Sequence, residues 1–463
     1  MPPSSETLSR TGADGAAHLS EIRGLAITGF GGVPEPSLWE GVSHEPHFLA
    51  SDMGSVDNGA YYLGSGKTAG ATDRDIQLML SAQQELGVPL LCGTAGMAGA
   101  DVHLSQVADR IARIKRRRGF SFDLALIHAE IERSELHRWL DDGKVRPLGP
   151  VPALTHEQVD RCVRVVGQMG PEPYIRALEE GADVILGGRA CDTSPYVALP
   201  MLRGFDTGLA FHMAKIIECV SLCADPGGRD CLLATLGEDS FVLESQAPNR
   251  RCTPVSVAAH SLYEQPNPYE MYEPGGMLDT SHCEYEAVSD RAVKVSGSEW
   301  VDAAQYTIKL EGASVMGYRA FSMAGVRDPF VIANLSEIEA SVCAGIAEIY
   351  GPPGGDYRIQ FRVYGRDGVL GASEPTPWAI PHEVFVLIDV VADTQKLAQA
   401  VCVQAKQNTM HCGFEGRKST GGNIAFPFSP EVFLAGRVYE FNVYHLVEVD
   451  DPNELFRIEH VAA

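Results

Sequence analysis

The 463-residue chain has no apolar run near the roughly 18 residues that cross a bilayer; its longest candidate, residues 384–392, contains Asp389. Its first 24 residues lack a continuous apolar stretch and carry Glu6, Asp14 and Glu21, so neither an export signal nor a transit peptide is expected. Basic residues are scarce: 37 Lys and Arg against 61 Asp and Glu give a formal charge of −24. Such a chain repels phosphate backbones and anionic lipid, which argues against nucleic-acid and membrane partners. The one basic cluster, Arg110, Arg113 and Lys115–Arg118, reads as a solvated helix end rather than a polyanion site. No CxxC pair occurs among the 11 cysteines. With an odd number and no export signal, reduced thiols and a cytoplasmic setting are expected. Cys219, Cys223 and Cys231 match no common zinc or iron–sulfur spacing and read as core thiols. Neither HExxH nor GxSxG is present, which removes the commonest zinc-hydrolase and serine-hydrolase signatures.

What is present is an ordinary globular composition, 45% hydrophobic with 8% aromatics, which excludes wholesale disorder. After a Ser-, Gly- and Ala-rich start (residues 1–20, expected to be mobile), short apolar runs alternate with helical patterns. The runs are residues 25–29 (LAITG), 48–52 (FLASD), 89–93 (PLLCG), 124–128 (LALIH), 163–167 (VRVVG) and 184–188 (VILGG). They lack strict alternation and so read as strands covered on both faces, forming a mostly parallel sheet with flanking helices. Thr72 with Asp75 is a capping-box start and Gly87 a stop; residues 171–180 read as a helix ended by Gly181. Residues 240–335 are turn-rich with short β-like runs, and a helix is expected at 336–350. A strand (384–391), a helix (393–413) and a β-like run (438–447) then predict a small α+β C-terminal unit. This gives a division into an α/β domain over 21–370 and a C-terminal domain over 371–463.

In an open parallel sheet, ligands bind outside the carboxyl ends of the strands. The segments at those ends carry Asp52, Ser55 and Asp57, then Lys67; Gly93, Gly96 and Gly99; and Arg189 with Asp192. The sequence GSGKT at 64–68 fails as a phosphate loop, because the required glycine at 61 is Tyr61. The spacing of Gly93, Gly96 and Gly99 is not a dinucleotide fingerprint, yet their amides could hold an anion. Asp52, Asp57 and Asp192 are candidates for proton transfer, since burial tunes a carboxylate towards neutrality. In the helical stretch 211–219 (FHMAKIIEC), His212, Lys215 and either Glu218 or Cys219 fall at spacings that share a face.

Residues 52–66, 93–103, 181–192, 208–219, 249–259 and 274–280 (PGGMLDT) resemble the acyclic terpene utilisation protein AtuA family, over about 22–370. Residues 381–455, with NIAFPFSP at 423–430 and YEFNVYHL at 439–446, resemble the companion C-terminal domain fused to or encoded beside that family. The resemblance implies catabolism of branched or unsaturated acids, often through acyl-CoA chemistry. Where the family pattern reads DAGSTDPGPYYLGSG, this chain keeps Asp52, Ser55, Asp57, Gly64 and Gly66 but has Met53, Val56, Asn58 and Ala60.

The expected activity is a cofactor-independent lyase that adds or removes water, or shifts a double bond, beside a carboxylate or acyl-CoA carbonyl. Asp192 or Asp57 would be the base, and His212 paired to Glu218 the acid. Lys67, Arg189 and the amides of Gly93, Gly96 and Gly99 would hold the anionic substrate, with Asp52 and Ser55 beside it. Three alternatives stay open: a non-catalytic acyl-CoA- or carboxylate-binding subunit, a thioester hydrolase, and a divalent metal held by Asp, His and Glu. A homo-oligomer is the expectation for so large a Gly-rich α/β chain.

Overall fold

The computed structural model describes residues 19–376, 379, 381–418 and 423–461. The expected mobile start lies outside the described residues as far as residue 18. Five strands, Ile22–Ile27, Phe48–Asp52, Leu90–Gly93, Val184–Gly187 and Leu124–Ile127, lie side by side in that order and run parallel. Their side chains feed two separate cores. Leu25, Leu49, Leu90 and Leu186 meet Ile76, Met79 and Leu104 on one face. Ala26, Phe48, Leu91 and Ile185 meet Tyr174, Tyr196 and Phe211 on the other. Burial on both faces is why these strands read as unbroken apolar runs.

The sheet as a whole is mixed, which corrects the expectation of a mostly parallel one. Cys231–Leu236 continues it antiparallel to Ile22–Ile27, followed outward by Ser240–Ser245, Ala292–Ser296 and Glu284–Ala287. Ile458–Val461 closes the other edge antiparallel to Leu124–Ile127. The cause is connection length. Parallel neighbours need a crossover helix, whereas only Gly237, Glu238 and Asp239 separate Cys231–Leu236 from Ser240–Ser245, enough for a hairpin alone.

A second correction concerns residues 163–167. They lie in the strand Cys162–Gln168, which is no part of the first sheet and instead pairs antiparallel with the 20-residue strand Thr307–Val326. That long, bulged strand organises a second, seven-stranded sheet with Tyr357–Tyr364, Val384–Ala392, Val432–Glu448 and Val145–Pro147. Helices Leu335–Tyr350 and Gln395–His411 cover one of its faces through Ile338, Val342, Val401 and Ala405.

Helix Asp73–Leu86 starts with the anticipated box: Thr72 accepts from the Asp75 amide, Asp75 accepts from the Thr72 amide, and Gly87 ends the helix at φ +66°. The basic cluster closes helix Asp101–Arg118, with Arg110 bonded to Asp73 at 2.6 Å. Among the described residues no helix is long and apolar enough to cross a membrane.

Candidate active site

Asp52 is the last residue of its strand, and the parallel strand Val184–Gly187 delivers the loop bearing Arg189 and Asp192. Helix Thr207–Ile217 ends at its C-cap residue Glu218, one turn after Lys215. These three features meet at a cleft of about 240 Å³ whose walls include Asp52, Ser55, Asp57, Asp192 and Glu218, together with Arg229 and Tyr263.

The carboxylates stand in different surroundings. Asp52 is 5% exposed, and its amide donates to the Tyr196 hydroxyl at 2.8 Å. Burial first, then the charges of Asp192 and Glu218, drive its carboxyl well above the usual range. Glu218 accepts from Lys215 Nζ at 2.9 Å and from Cys219 Sγ at 3.2 Å. Burial outweighs the pull of Lys215, and the charge of Asp192 adds to it, so Glu218 rises to about 7. Lys215 stays charged despite burial because Glu218 faces it. Asp192 is the open member, its side chain 33% exposed and 3.8 Å from Arg189.

Arg189 is itself buried. Its Nε donates to Glu311 at 2.8 Å, and Nη2 donates to the other oxygen of the same carboxylate at 3.3 Å. Although burial opposes its charge, Glu311 falls to about 2 because Arg189 and Lys309 flank it. Arg189 thus braces the Asp192 loop against the second sheet and does not line the cleft.

The other expected residues divide. Ser55 and Asp57 line the mouth, where the Asp57 amide donates to Ser55 Oγ at 3.1 Å. Lys67 is exposed above the Tyr61 ring, at 5.7 Å, and is not a cleft residue. Gly93 ends the strand Leu90–Gly93, Gly96 and Gly99 lie in or beside the buried turn that follows, and the Gly99 amide is already bonded to the Ala95 carbonyl. A Cβ on Gly99 would fall 2.2 Å from the Arg189 nitrogen. Gly99 thus lets the two loops touch, backbone against backbone.

His212 does not pair with Glu218. Six positions along a helix place the two about 120° apart around the axis. His212 faces the interior, with Nδ1 2.8 Å from Ser298 Oγ and Nε2 3.1 Å from Ser261 Oγ, and burial lowers it to about 3.

Arg229 and Glu311 escaped sequence reasoning. Arg229 sits 5.5 Å from the Phe30 ring and forms no ion pair among the described residues. Glu311 had one weak signal, an acid set between Leu310 and the small residues Gly312 and Ala313 in a long strand. Among the described residues no group of three or more His, Cys, Asp or Glu is arranged to hold a metal ion.

Fold and cleft together define a mixed α/β protein with an acid-lined crevice at the carboxyl edge of its parallel strands. Residues 94–225 and 237–431 match the family described as acyclic terpene utilisation family protein AtuA, and the chain belongs to that family. The match contains Arg189, Asp192, Lys215 and Glu218, whereas Asp52, Ser55 and Asp57 precede it. Comparison with curated proteins and with solved structures found no match.

Proposed function

We propose that the cleft performs acid–base chemistry on a small unsaturated or hydroxy carboxylate, or its CoA thioester, adding or removing water or shifting a double bond. The observation that carries this reading is the sharing of one cleft by Asp52, Asp192 and Glu218 in unlike surroundings: burial raises Asp52 and Glu218, while the Asp192 side chain is partly exposed beside Arg189. Unlike surroundings are how a site supplies an acid and a base at one pH. Asp192, open and beside Arg189, takes the proton next to the carbonyl. Glu218, near neutrality and bonded to Lys215, gives a proton to the departing hydroxyl. Asp52, pushed towards its neutral acid form by burial, is placed to donate a hydrogen bond to the substrate. Arg229, with no carboxylate partner, meets the anionic end of the substrate, while Ser55 and Asp57 flank the mouth. Thioester hydrolysis through a thiolate finds no support, because burial and Glu218 push the Cys219 thiol up.

The test is incubation of the purified chain with unsaturated and hydroxy acids and their CoA esters, read as gain or loss of one water by mass. Glu218→Gln should lower turnover about 100-fold or more and remove the ionisation near pH 7 from the rate profile. Tight binding of such acids without turnover would replace this reading with that of a carboxylate-binding subunit. Wild-type turnover in Asp192→Asn would overturn the assigned base.

A further inference from the structure

Arg229 is the one Arg or Lys among the described residues that line the cleft, and it forms no ion pair there. Its guanidinium lies 5.5 Å from the centre of the Phe30 ring. Lys215, by contrast, donates to Glu218 at 2.9 Å and is not on the walls. A guanidinium over an aromatic face keeps its N–H edge open, and that edge matches a planar carboxylate in two parallel bonds. Asp57 and Glu264, opposite in sign, stand exposed on the same walls. At about 240 Å³ the cleft falls below the roughly 300–1,000 Å³ of pockets for drug-sized ligands.

These features separate a free acid from its CoA thioester. A thioester has no charge at its carbonyl, and its anionic groups are the phosphates at the far end of the pantetheine arm. A cleft of this size holds the acyl end alone, so Arg229, on the same walls as Asp192 and Glu218, would face an uncharged group. The phosphates would lie outside a mouth bearing Asp57 and Glu264, on a chain of formal charge −24 that repels them. A free acid carries a single charge and carries it at the reacting end. We infer that the substrate is the free carboxylic acid and not the CoA thioester, with its carboxylate on Arg229 and its hydrocarbon along Val220 and Leu222. This rests on the acid–base reading of the cleft and fits its chemistry. When Asp192 takes the proton next to a carboxylate, the electron pair left behind puts a second negative charge on that carboxylate. Such a dianion needs a cation and a neutral acid beside it. Arg229 supplies the first, and Asp52, pushed towards its neutral form by burial, the second. The pair then closes the double bond as the hydroxyl on the next carbon leaves with the Glu218 proton, as water.

Calorimetric titration of the full chain tests it, with short 2-enoic and 3-hydroxy acids each offered as the free acid, the CoA thioester and the uncharged methyl ester. The free acid should bind about 10–100-fold more tightly than either ester. Arg229→Gln should weaken the free acid by about that factor, leave the methyl ester unchanged and so remove the difference between them. Arg229→Lys, which keeps the charge but not the two parallel bonds, should fall between. Mass analysis of the same mixtures separates this inference from the reading beneath it. Arg229-dependent binding of the free acid without gain or loss of water would uphold the inference and overturn the acid–base reading. Preferred turnover of the CoA thioester would uphold that reading and overturn the inference, as would full affinity for the free acid in Arg229→Gln. Failure of every form to bind would overturn both.

Discussion

Replacing Glu311 by Gln keeps the shape of the side chain and removes the charge that holds Arg189 against the second sheet. Glu311 falls from 4.5 to about 2 in the folded chain. At about 1.4 kcal/mol per unit, the folded state favours the ionised carboxylate by about 3 kcal/mol. Breaking a buried ion pair by deleting one partner costs about 3–5 kcal/mol, so two routes agree. The raised Arg189 reports the same interaction and is not counted again. The sign follows from linkage. A carboxylate depressed in the native state contributes in full above its unfolded value, and the contribution fades as pH falls from about 4.5 towards 2. The wild-type advantage over Glu311→Gln should therefore be about 3 kcal/mol at pH 7 and about 2 kcal/mol at pH 3.5. Urea unfolding of both proteins at the two pH values, with unchanged slopes against denaturant, measures it. An advantage below about 1 kcal/mol at pH 7, or one that grows on acidification, would refute the reasoning.

His212, lowered to about 3 by burial, binds a proton more readily in the unfolded chain, so its contribution is present above about 6.5 and lost as pH falls towards 3. His212→Asn should flatten the rise of the urea midpoint between pH 4 and 7; an identical slope in wild type and variant would place the titration elsewhere. Thr72→Ala removes the cap of helix Asp73–Leu86 and should cost about 1 kcal/mol in urea unfolding. Gly99→Ala forces a Cβ onto the Arg189 backbone at φ +67°, and should cost about 3 kcal/mol or more, against a few tenths if the turn relaxes.

Local sequence identified strands well and their neighbours poorly. The strand Phe48–Asp52 and the Thr72 box were legible because each is fixed by a few adjacent residues. Cys162–Gln168 was legible as a strand, but its partner begins at Thr307, and nothing in VRVVG states which edge it joins or in which direction. The same limit separates the candidate site residues. Asp52 and Asp192 could be placed at one crevice because the ends of parallel strands converge. Helical spacing linked His212 to Lys215 and Lys215 to Glu218 but did not bring His212 and Glu218 together, and it could not say which face is open. In fact every residue from Gly208 to Ile217 is buried, so His212 points into packing while Glu218, just past the last turn, reaches the cleft. Glu311 shows how more could have been extracted. A charge is kept inside an apolar strand only when a counter-charge is buried with it. The run TIKLEGAS supplies one counter-charge itself, Lys309 two positions earlier and 2.7 Å from Glu311, and the burial of Glu311 left room for a second base, for which Arg189, next to a tight Gly–Gly turn, was a candidate. Choosing that pairing over substrate binding would have moved Arg189 from clamp to brace and left Arg229 as the cation free to meet a ligand.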